Sequence, residues 1–300
     1  MRILLINLLV SVSAFGYQHW FTGPLIVPNA EVIPKGMTQW EPFVFQFWND
    51  ANYNRSGSRV DQITLRSTNV QACIIHGIAK NFDVEILPQL FINSRSGHTS
   101  TRFGDFTLFI GYQALKESRY IPALRWTIQE TFPSGQYDNL SKYQTAASGM
   151  GSYQTGTSMN FLKRFNIDDV HTFNLYWSLT YTVPSPITVK GRSVYGGDPT
   201  TRGKAYLGNS FQLINSVEFN LTRHWALACD MVNVWQNRNR FSGHTEQSST
   251  RGSSYQLSFA PAIEYNFSAN LGIIAGSWLT AAGRNAAAFN SAVIAINYTH

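Results

Sequence analysis

Hydrophobic and polar residues alternate along most of this chain with a period of two. Residues 171–183, HTFNLYWSLTYTV, place apolar side chains at each odd position from Phe173 to Val183 and mostly small polar ones between them. Successive side chains of a β-strand point to opposite faces, so this stretch predicts a strand with one apolar and one polar face. Such a strand fits either a soluble sandwich or a transmembrane barrel whose polar face lines the lumen.

The same alternation predicts twelve strands. Residues 62–78 are less regular than the others, which indicates a β-bulge. The predicted strands are 39–48, 62–78, 82–93, 103–115, 122–132, 152–163, 170–183, 206–219, 224–236, 253–267, 271–280 and 288–298.

Short and long connections alternate between these strands. The short ones are 80–81, 116–121, 164–169, 220–223 and 268–270, and the long ones are 49–61, 94–102, 133–151, 184–205, 237–252 and 281–287. A soluble sandwich has no reason to place all long loops at one end. We therefore predict an all-β fold, a transmembrane antiparallel up-and-down β-barrel of about 12 strands in a bacterial outer membrane, with short periplasmic turns and long external loops.

This topology decides which face of residues 171–183 is wet. The strand ascends from a short turn, so Phe173 and Leu179 face lipid, whereas Asn174 and Tyr176 face the lumen. A charge introduced at Leu179 is expected to be costly, and one at Ser178 mild.

Two tryptophans give a check on dimensions. Trp225 and Trp235 lie ten residues apart on the same face of one predicted strand. At about 3.3 Å per residue and a tilt of about 40°, they stand roughly 25 Å apart along the membrane normal, which matches the spacing of the two aromatic girdles. We predict that they are membrane-interface aromatics; the alternative is two unrelated core tryptophans.

Composition agrees with this fold. Charged residues make up 13% and aromatic residues 14% of the 300 positions, and the mean hydropathy is −0.16. A chain with few charges and many aromatics fits a barrel with an apolar exterior and a wet interior, although a secreted all-β domain would share these values.

Three parts can be distinguished along the chain. Residues 1–16 predict a secretory signal peptide, with an apolar run after Arg2 and small residues before the cleavage point. Residues 17–38 form a Pro-rich N-terminal segment, and residues 39–300 form the barrel. Proline denies this segment ladder hydrogen bonds, so it either plugs the lumen or leads into the first strand.

Four ordered stretches carry a resemblance to a known family. They are WFTGPLIVPNAEVIPKGMTQWEPFVF, FGDFTLFIGYQAL, PALRWTIQETFPSGQY and GMGSYQTGTSMNFLKRF. Together they resemble the MetA-pathway-of-phenol-degradation family of bacterial outer-membrane proteins, over about residues 20–185. The resemblance implies an outer-membrane barrel with a transport role, and it supplies no catalytic residues.

Strand parity also predicts which polar side chains enter the lumen. Buried charges must be paired or hydrated, so this set indicates either a permeation constriction or a network that braces the barrel. The lumen-lining candidates are Glu85, Arg125, Gln129, Asn174, Tyr176, Glu218, Asp230 and Glu264.

The external loops are strongly basic, with thirteen Lys or Arg against five acids. Phosphate groups of lipopolysaccharide are one expected partner, attraction of anionic solutes is a second possibility, and a solvated basic rim is the third. No basic helix or reader motif supports nucleic-acid binding. The C-terminal strand carries Tyr298, an aromatic of the kind that the barrel assembly machinery reads.

Catalysis is the remaining class to weigh. Twelve-stranded barrels can host a hydrolase with a serine beside its histidine base, and the nearest match is His98-Thr-Ser100 in a loop. We predict no catalytic residues, no metal and no cofactor. Three hypotheses stay open: a channel or facilitator for small, hydrophobic or aromatic solutes; a plugged barrel acting as adhesin or scaffold through its basic loops; and an outer-membrane hydrolase.

Overall fold

The structure, a computed structural model, describes residues 20–168, 171–244 and 252–300. The predicted signal peptide lies outside these residues. The strands of the described chain are β1 (Thr38–Tyr53), β2 (Arg59–Ala79), β3 (Phe82–Leu87), β4 (Gln89–Arg95), β5 (His98–Phe103), β6 (Phe106–Leu115), β7 (Ala123–Phe132), β8 (Gln154–Asn166), β9 (Thr172–Pro184), β10 (Ile187–Lys190), β11 (Arg202–Tyr206), β12 (Ser210–Asn220), β13 (Trp225–Gln236), β14 (Arg240–His244), β15 (Ser254–Ser268), β16 (Leu271–Arg284) and β17 (Ala286–Thr299).

The large sheet closes on itself, because β1 pairs with both β2 and β17, and all its pairings are antiparallel. Fourteen of the strands build twelve wall positions. β2 pairs with β3 over one half of its length and with β4 over the other, so β3 and β4 share one position. In the same way β5 and β6 share the next position. The prediction of a twelve-stranded antiparallel barrel is confirmed.

Side-chain burial alternates across the barrel wall as the sequence pattern predicts. On β9, Asn174 and Ser178 are fully buried, whereas Leu179 and Tyr181 are exposed. Large apolar side chains are exposed in the same way on all sides of the barrel. Soluble monomers rarely expose a continuous apolar surface of this extent. It is the lipid-facing surface of a membrane barrel.

The connections at one end are short, as predicted, and those at the other end are partly folded. Three predicted long loops are short because strands extend into them: residues 54–58 join β1 to β2, residues 96–97 join β4 to β5, and Asn285 alone joins β16 to β17. Two others contribute β10, β11 and β14 to a separate three-stranded sheet. Ile187, Val189 and Tyr195 pack in its core. The external end therefore carries an ordered cap.

The irregular strand predicted at residues 62–78 is indeed bulged. The pairing of β2 shifts register between Gly77 and Ala79, and again opposite Asn49–Ala51 of β1. Gly77 is also the point where the backbone of Ile33 and Pro34 comes so close that a Cβ would clash with it. Over the described residues, no helix is long and apolar enough to cross a membrane.

Candidate functional site

The Pro-rich segment predicted at residues 17–38 is described from residue 20. Its residues 20–36, called the N-terminal segment from here on, run through the interior of the barrel at its periplasmic end. The segment begins beside β12 and β15, where Asn220 and Asn266 donate their amide N–H groups to the Trp20 carbonyl at 3.3 and 3.2 Å. It ends beside β2, where the Gly36 N–H donates to the Gly77 carbonyl at 2.8 Å. Between these points it forms no strand with the wall.

Side chains of the barrel wall accept hydrogen bonds from the backbone N–H groups of this segment. Buried N–H groups need an acceptor, and a segment outside any ladder must find one elsewhere. The acceptors are Glu264 for Thr22 at 3.0 Å, Asp230 for Ile26 and Val27 at 3.2 Å each, Gln113 for Val32 at 2.8 Å, and Asp83 for Ile33 at 3.2 Å. Four wall residues on separate strands thus hold the segment.

Apolar side chains of the segment pack against two parts of the wall. Leu25 joins a cluster with Phe43 and Phe45 of β1. Val27 joins a second cluster, which includes Tyr176 and Ile214. Because these clusters lie on different sides of the barrel, the segment spans the interior from wall to wall.

An ion-pair network fastens the segment at the periplasmic mouth. Arg164 pairs with Glu31 of the segment and, at 2.7 Å, with Glu117 in the turn between β6 and β7. Lys163 also reaches Glu117, at 3.1 Å. Although burial opposes it, the hydrogen bonds from Arg164 and Lys163 hold the pKa of Glu117 below its ordinary value of 4.5.

Five of the eight predicted lumen residues lie fully buried against or beneath the segment. Asp230 and Glu264 bind its backbone, as described above. Glu218 accepts hydrogen bonds from Asn174 and from the Tyr176 hydroxyl, both at 2.7 Å. These five, Asn174, Tyr176, Glu218, Asp230 and Glu264, are between 0 and 5% exposed, and none of them lines the cavity described next.

The other three, Glu85, Arg125 and Gln129, line a cavity of about 540 Å³ that lies against the segment. One side of this cavity is apolar and aromatic, and carries Leu25, Phe43, Phe45 and Trp278. The opposite side is polar. It carries Arg125, Gln129, Ser158, Asn160, Thr180 and Thr182.

Arg125 is the charged centre of the polar side. Its guanidinium is almost completely buried and donates to Asp83 at 2.8 Å and to Glu85 at 3.4 Å. Gly111 on β6 makes this possible, because a Cβ there would fall on the Asp83 carboxylate and the Arg125 guanidinium. The guanidinium is therefore paired with two carboxyl groups at the cavity wall.

The aromatic side of the cavity could have been predicted from the alternation of faces along β1. Gln39 and Glu41 of β1 share a face with Phe43 and Phe45, and all four line the cavity. The Phe45 ring stacks on Phe47 with centroids 5.6 Å apart. Because both faces of β1 carry aromatics, hydrophobicity alone did not distinguish them.

Trp225 and Trp235 lie at opposite ends of β13, and both are about two-fifths exposed. The Trp225 ring contacts Tyr265 at 4.7 Å between centroids, and the Trp235 ring contacts Tyr255 at 5.4 Å. Their role as membrane-interface aromatics stays a prediction.

The residues of the hydrolase hypothesis lie in the external region. The His98 ring stacks on Tyr143 at 3.7 Å, and the Ser100 hydroxyl lies 3.1 Å from that of Thr145. A nucleophile needs its base within hydrogen-bonding reach, whereas these two side chains are engaged with a neighbouring loop. Among the described residues, no group of three or more His, Cys, Asp or Glu is placed to hold a metal.

Comparison with known proteins adds structural likeness only. No protein-family model matches the chain, and no curated protein matches it in sequence. An outer-membrane channel from Pseudomonas putida F1 superposes with a TM-score of 0.70 at 14% identity, over 92% of this chain and 100% of the other. The beta domain of the Bordetella autotransporter BrkA gives a TM-score of 0.50 at 9% identity, over 89% and 100%.

The fold is that of an outer-membrane β-barrel. Together with the apolar exterior, it assigns this chain to the bacterial outer membrane.

Proposed function

We propose that this protein is an outer-membrane channel or facilitator for small solutes that combine an aromatic or apolar part with a polar group. The observation that carries the proposal is the two-sided cavity. Phe45 and Trp278 offer rings to an apolar part, and Arg125 with Gln129 offers hydrogen bonds to a polar group across from them. A channel of the same fold gives precedent for transport.

The N-terminal segment serves, in this proposal, as a plug that narrows the lumen from the periplasmic side. Twelve strands at about 4.8 Å spacing and about 40° tilt give a backbone diameter of roughly 24 Å. Side chains would leave an opening on the order of 10 Å, which the segment partly fills. Hydrogen bonds, ion pairs and apolar contacts with the wall hold it in place.

Conductance in planar bilayers tests both parts. The full chain should give small, discrete steps, and a variant lacking residues 20–36 should give clearly larger ones. Silence from both proteins, each shown to be folded, would overturn the channel proposal. Equal conductance from both would overturn the role of the segment as a plug.

Solute-dependent block tests the cavity. A small aromatic alcohol or acid should reduce the conductance of the full chain in a concentration-dependent way. Trp278→Ala should weaken this block, because the indole forms part of the apolar side. Trp235→Ala, on the outer surface, is the matched control and should leave the block unchanged. Equal block in all three proteins would argue against this cavity as the solute site.

A second candidate is a plugged barrel that acts as adhesin or scaffold through its basic external loops. The observation in its favour is the ordered cap, whose strands carry Lys190, Arg202, Lys204 and Arg240. A barrel that remains silent after removal of residues 20–36, and whose cap binds an acidic surface, would favour this function over transport.

We further propose that the basic rim meets phosphate on lipopolysaccharide. Arg55, Arg238 and Arg284 line one hollow at the external end together with Ser253 and Asn285. Arginine clusters suit phosphate because the guanidinium binds it in a bidentate way. Recognition of the last strand by the barrel assembly machinery, through Tyr298, also stays a prediction.

A further inference from the structure

Four buried oxygen atoms lie near the base of the N-terminal segment without a hydrogen-bond donor. They belong to the side chains of Asn174, Glu218, Asn220 and Glu264, all of which are 0% exposed. Within the described part of the chain, no donor reaches the Oδ1 atom of either asparagine or the Oε1 atom of either glutamate. Leaving a buried acceptor unpaired costs about 1–3 kcal/mol, and more for a charged one, so these atoms require a partner.

The strand register brings the four side chains together. Asn174 lies opposite Glu218 on the neighbouring strand, and Asn220 follows two positions later on the same face. Glu264 lies opposite Ala226, which lies opposite Asn220. The small Ala226 and Ala228 separate β12 from β15 on the inner face, and across them the carboxyl groups of Glu218 and Glu264 interact electrostatically.

The surrounding cations are engaged elsewhere. Arg164, which lies opposite Asn174 on the neighbouring strand, pairs with Glu31 and Glu117. Among the described residues, neither Glu218 nor Glu264 forms an ion pair. Two buried carboxylates in one site repel each other unless a proton neutralises one of them or a cation lies between them.

A proton bridges one pair of oxygens and leaves the amide oxygens of Asn174 and Asn220 unpaired. A hard divalent cation binds carboxylate and amide oxygens together, and calcium accepts irregular sets of them. We propose that Asn174, Glu218, Asn220 and Glu264 form a site for a divalent cation of the calcium type. The two carboxylates balance its charge.

The site would also fix the base of the N-terminal segment. Glu264 accepts from the Thr22 N–H at 3.0 Å through its second oxygen, and Asn220 donates to the Trp20 carbonyl. A cation that orders both side chains therefore orders the start of the segment. Its loss loosens the segment there, while the Asp230 anchor is unaffected.

Terbium luminescence tests the site directly. The full chain, folded in detergent and stripped with chelator, is titrated with Tb³⁺, which replaces Ca²⁺ and emits when excited through a nearby aromatic. Tyr176 bonds directly to Glu218 and supplies that excitation. We expect one bound equivalent, displaced by Ca²⁺. Glu218→Gln and Glu264→Gln should each weaken binding by more than the roughly 10–100-fold that loss of an outer partner costs.

Two further variants complete the test. Glu130→Gln removes a carboxylate outside the cluster, one that bonds Thr155, and should leave binding unchanged. Asn220→Asp keeps the side-chain oxygen and adds a negative charge, so it should bind the cation more tightly even though it loses the N–H that bonds the Trp20 carbonyl. Heat-dependent migration on gels verifies that each variant is folded.

The opposite results are equally clear. A folded wild-type chain that binds neither Tb³⁺ nor millimolar Ca²⁺ would overturn the proposal in favour of a shared proton. Binding that survives both glutamine substitutions would place the ion elsewhere. Neither result depends on conductance, so the proposed transport function stands or falls separately.

Discussion

The carboxylate of Asp230 accepts a hydrogen bond from the backbone N–H of Val27 at 3.2 Å, across 203 positions of sequence. The Ile26 N–H donates to the other oxygen of the same carboxylate at the same distance. A residue in the middle of β13 thus holds the middle of the N-terminal segment. Asp230 was predicted to line the lumen, where it could have bound a solute. In the structure it binds the backbone of the N-terminal segment.

Replacing this anchor should loosen the segment. Asp230→Ala leaves two backbone N–H groups without an acceptor, which costs about 1–3 kcal/mol for an unsatisfied buried group. We expect amide hydrogen exchange in residues 20–36 to accelerate on the order of tenfold, since about 1.4 kcal/mol corresponds to a factor of ten. Asp61→Ala removes a largely exposed acid and serves as the control. Unchanged exchange in the Asp230 variant would show that apolar packing alone holds the segment.

Much of the wall could be predicted because its signal is local. On β9, polar and apolar residues alternate from Asn174 through Leu175 to Tyr176. This alternation follows directly from the barrel geometry, because one face of the strand meets lipid and the other faces the interior. Short turns of two to six residues then fixed the direction of each strand. The burial pattern of this strand accordingly follows the sequence position by position.

The interior could not be predicted in the same way, because its contacts are not periodic. Residues 20–36 have no alternation, and their acceptors Asp83, Asp230 and Glu264 lie between 50 and 242 positions away. The break at Pro88 falls inside the predicted strand 82–93, and most of β5 falls in residues 94–102, which were predicted as a loop. Proline cannot donate to a ladder, but only the pairing shows that β2 bridges that break.

Removing Arg125 should destabilise the barrel strongly. Arg125→Met leaves the Asp83 and Glu85 carboxylates without their partner in a buried wall, and breaking such a pair from one side costs about 3–5 kcal/mol. Urea unfolding from detergent or lipid measures the change. Arg102→Met, at an exposed position, is the control and should change the free energy of unfolding by less than about 0.5 kcal/mol. A similar small effect at Arg125 would mean that Asp83 and Glu85 are hydrated or protonated without it.

The two faces of β9 give a test of membrane placement. Leu179→Lys puts a charge on the exposed outer face and should cost about 2–4 kcal/mol. The sequence predicts that a charge at Ser178, on the inner face, is mild. The structure contradicts this choice of control, because Ser178 is 1% exposed and donates to Asn160 at 2.7 Å, which leaves no room for a lysine. Thr180 lines the cavity, and Thr180→Lys should be much milder. Equal costs at positions 179 and 180 would contradict the assignment of lipid and lumen faces.

The Glu117 network should make the periplasmic mouth sensitive to acid. Because the pKa of Glu117 is lowered in the folded protein, its stabilising contribution is present in full above its ordinary value of 4.5 and is lost as the pH falls through the lowered value. The difference in unfolding midpoint between wild type and Glu117→Gln should therefore be constant near pH 7 and shrink below about pH 4.5. Urea unfolding at several pH values between about 3 and 7 measures it. A Glu117 difference that persists at pH 3 would show that Arg164 and Lys163 act without this carboxylate.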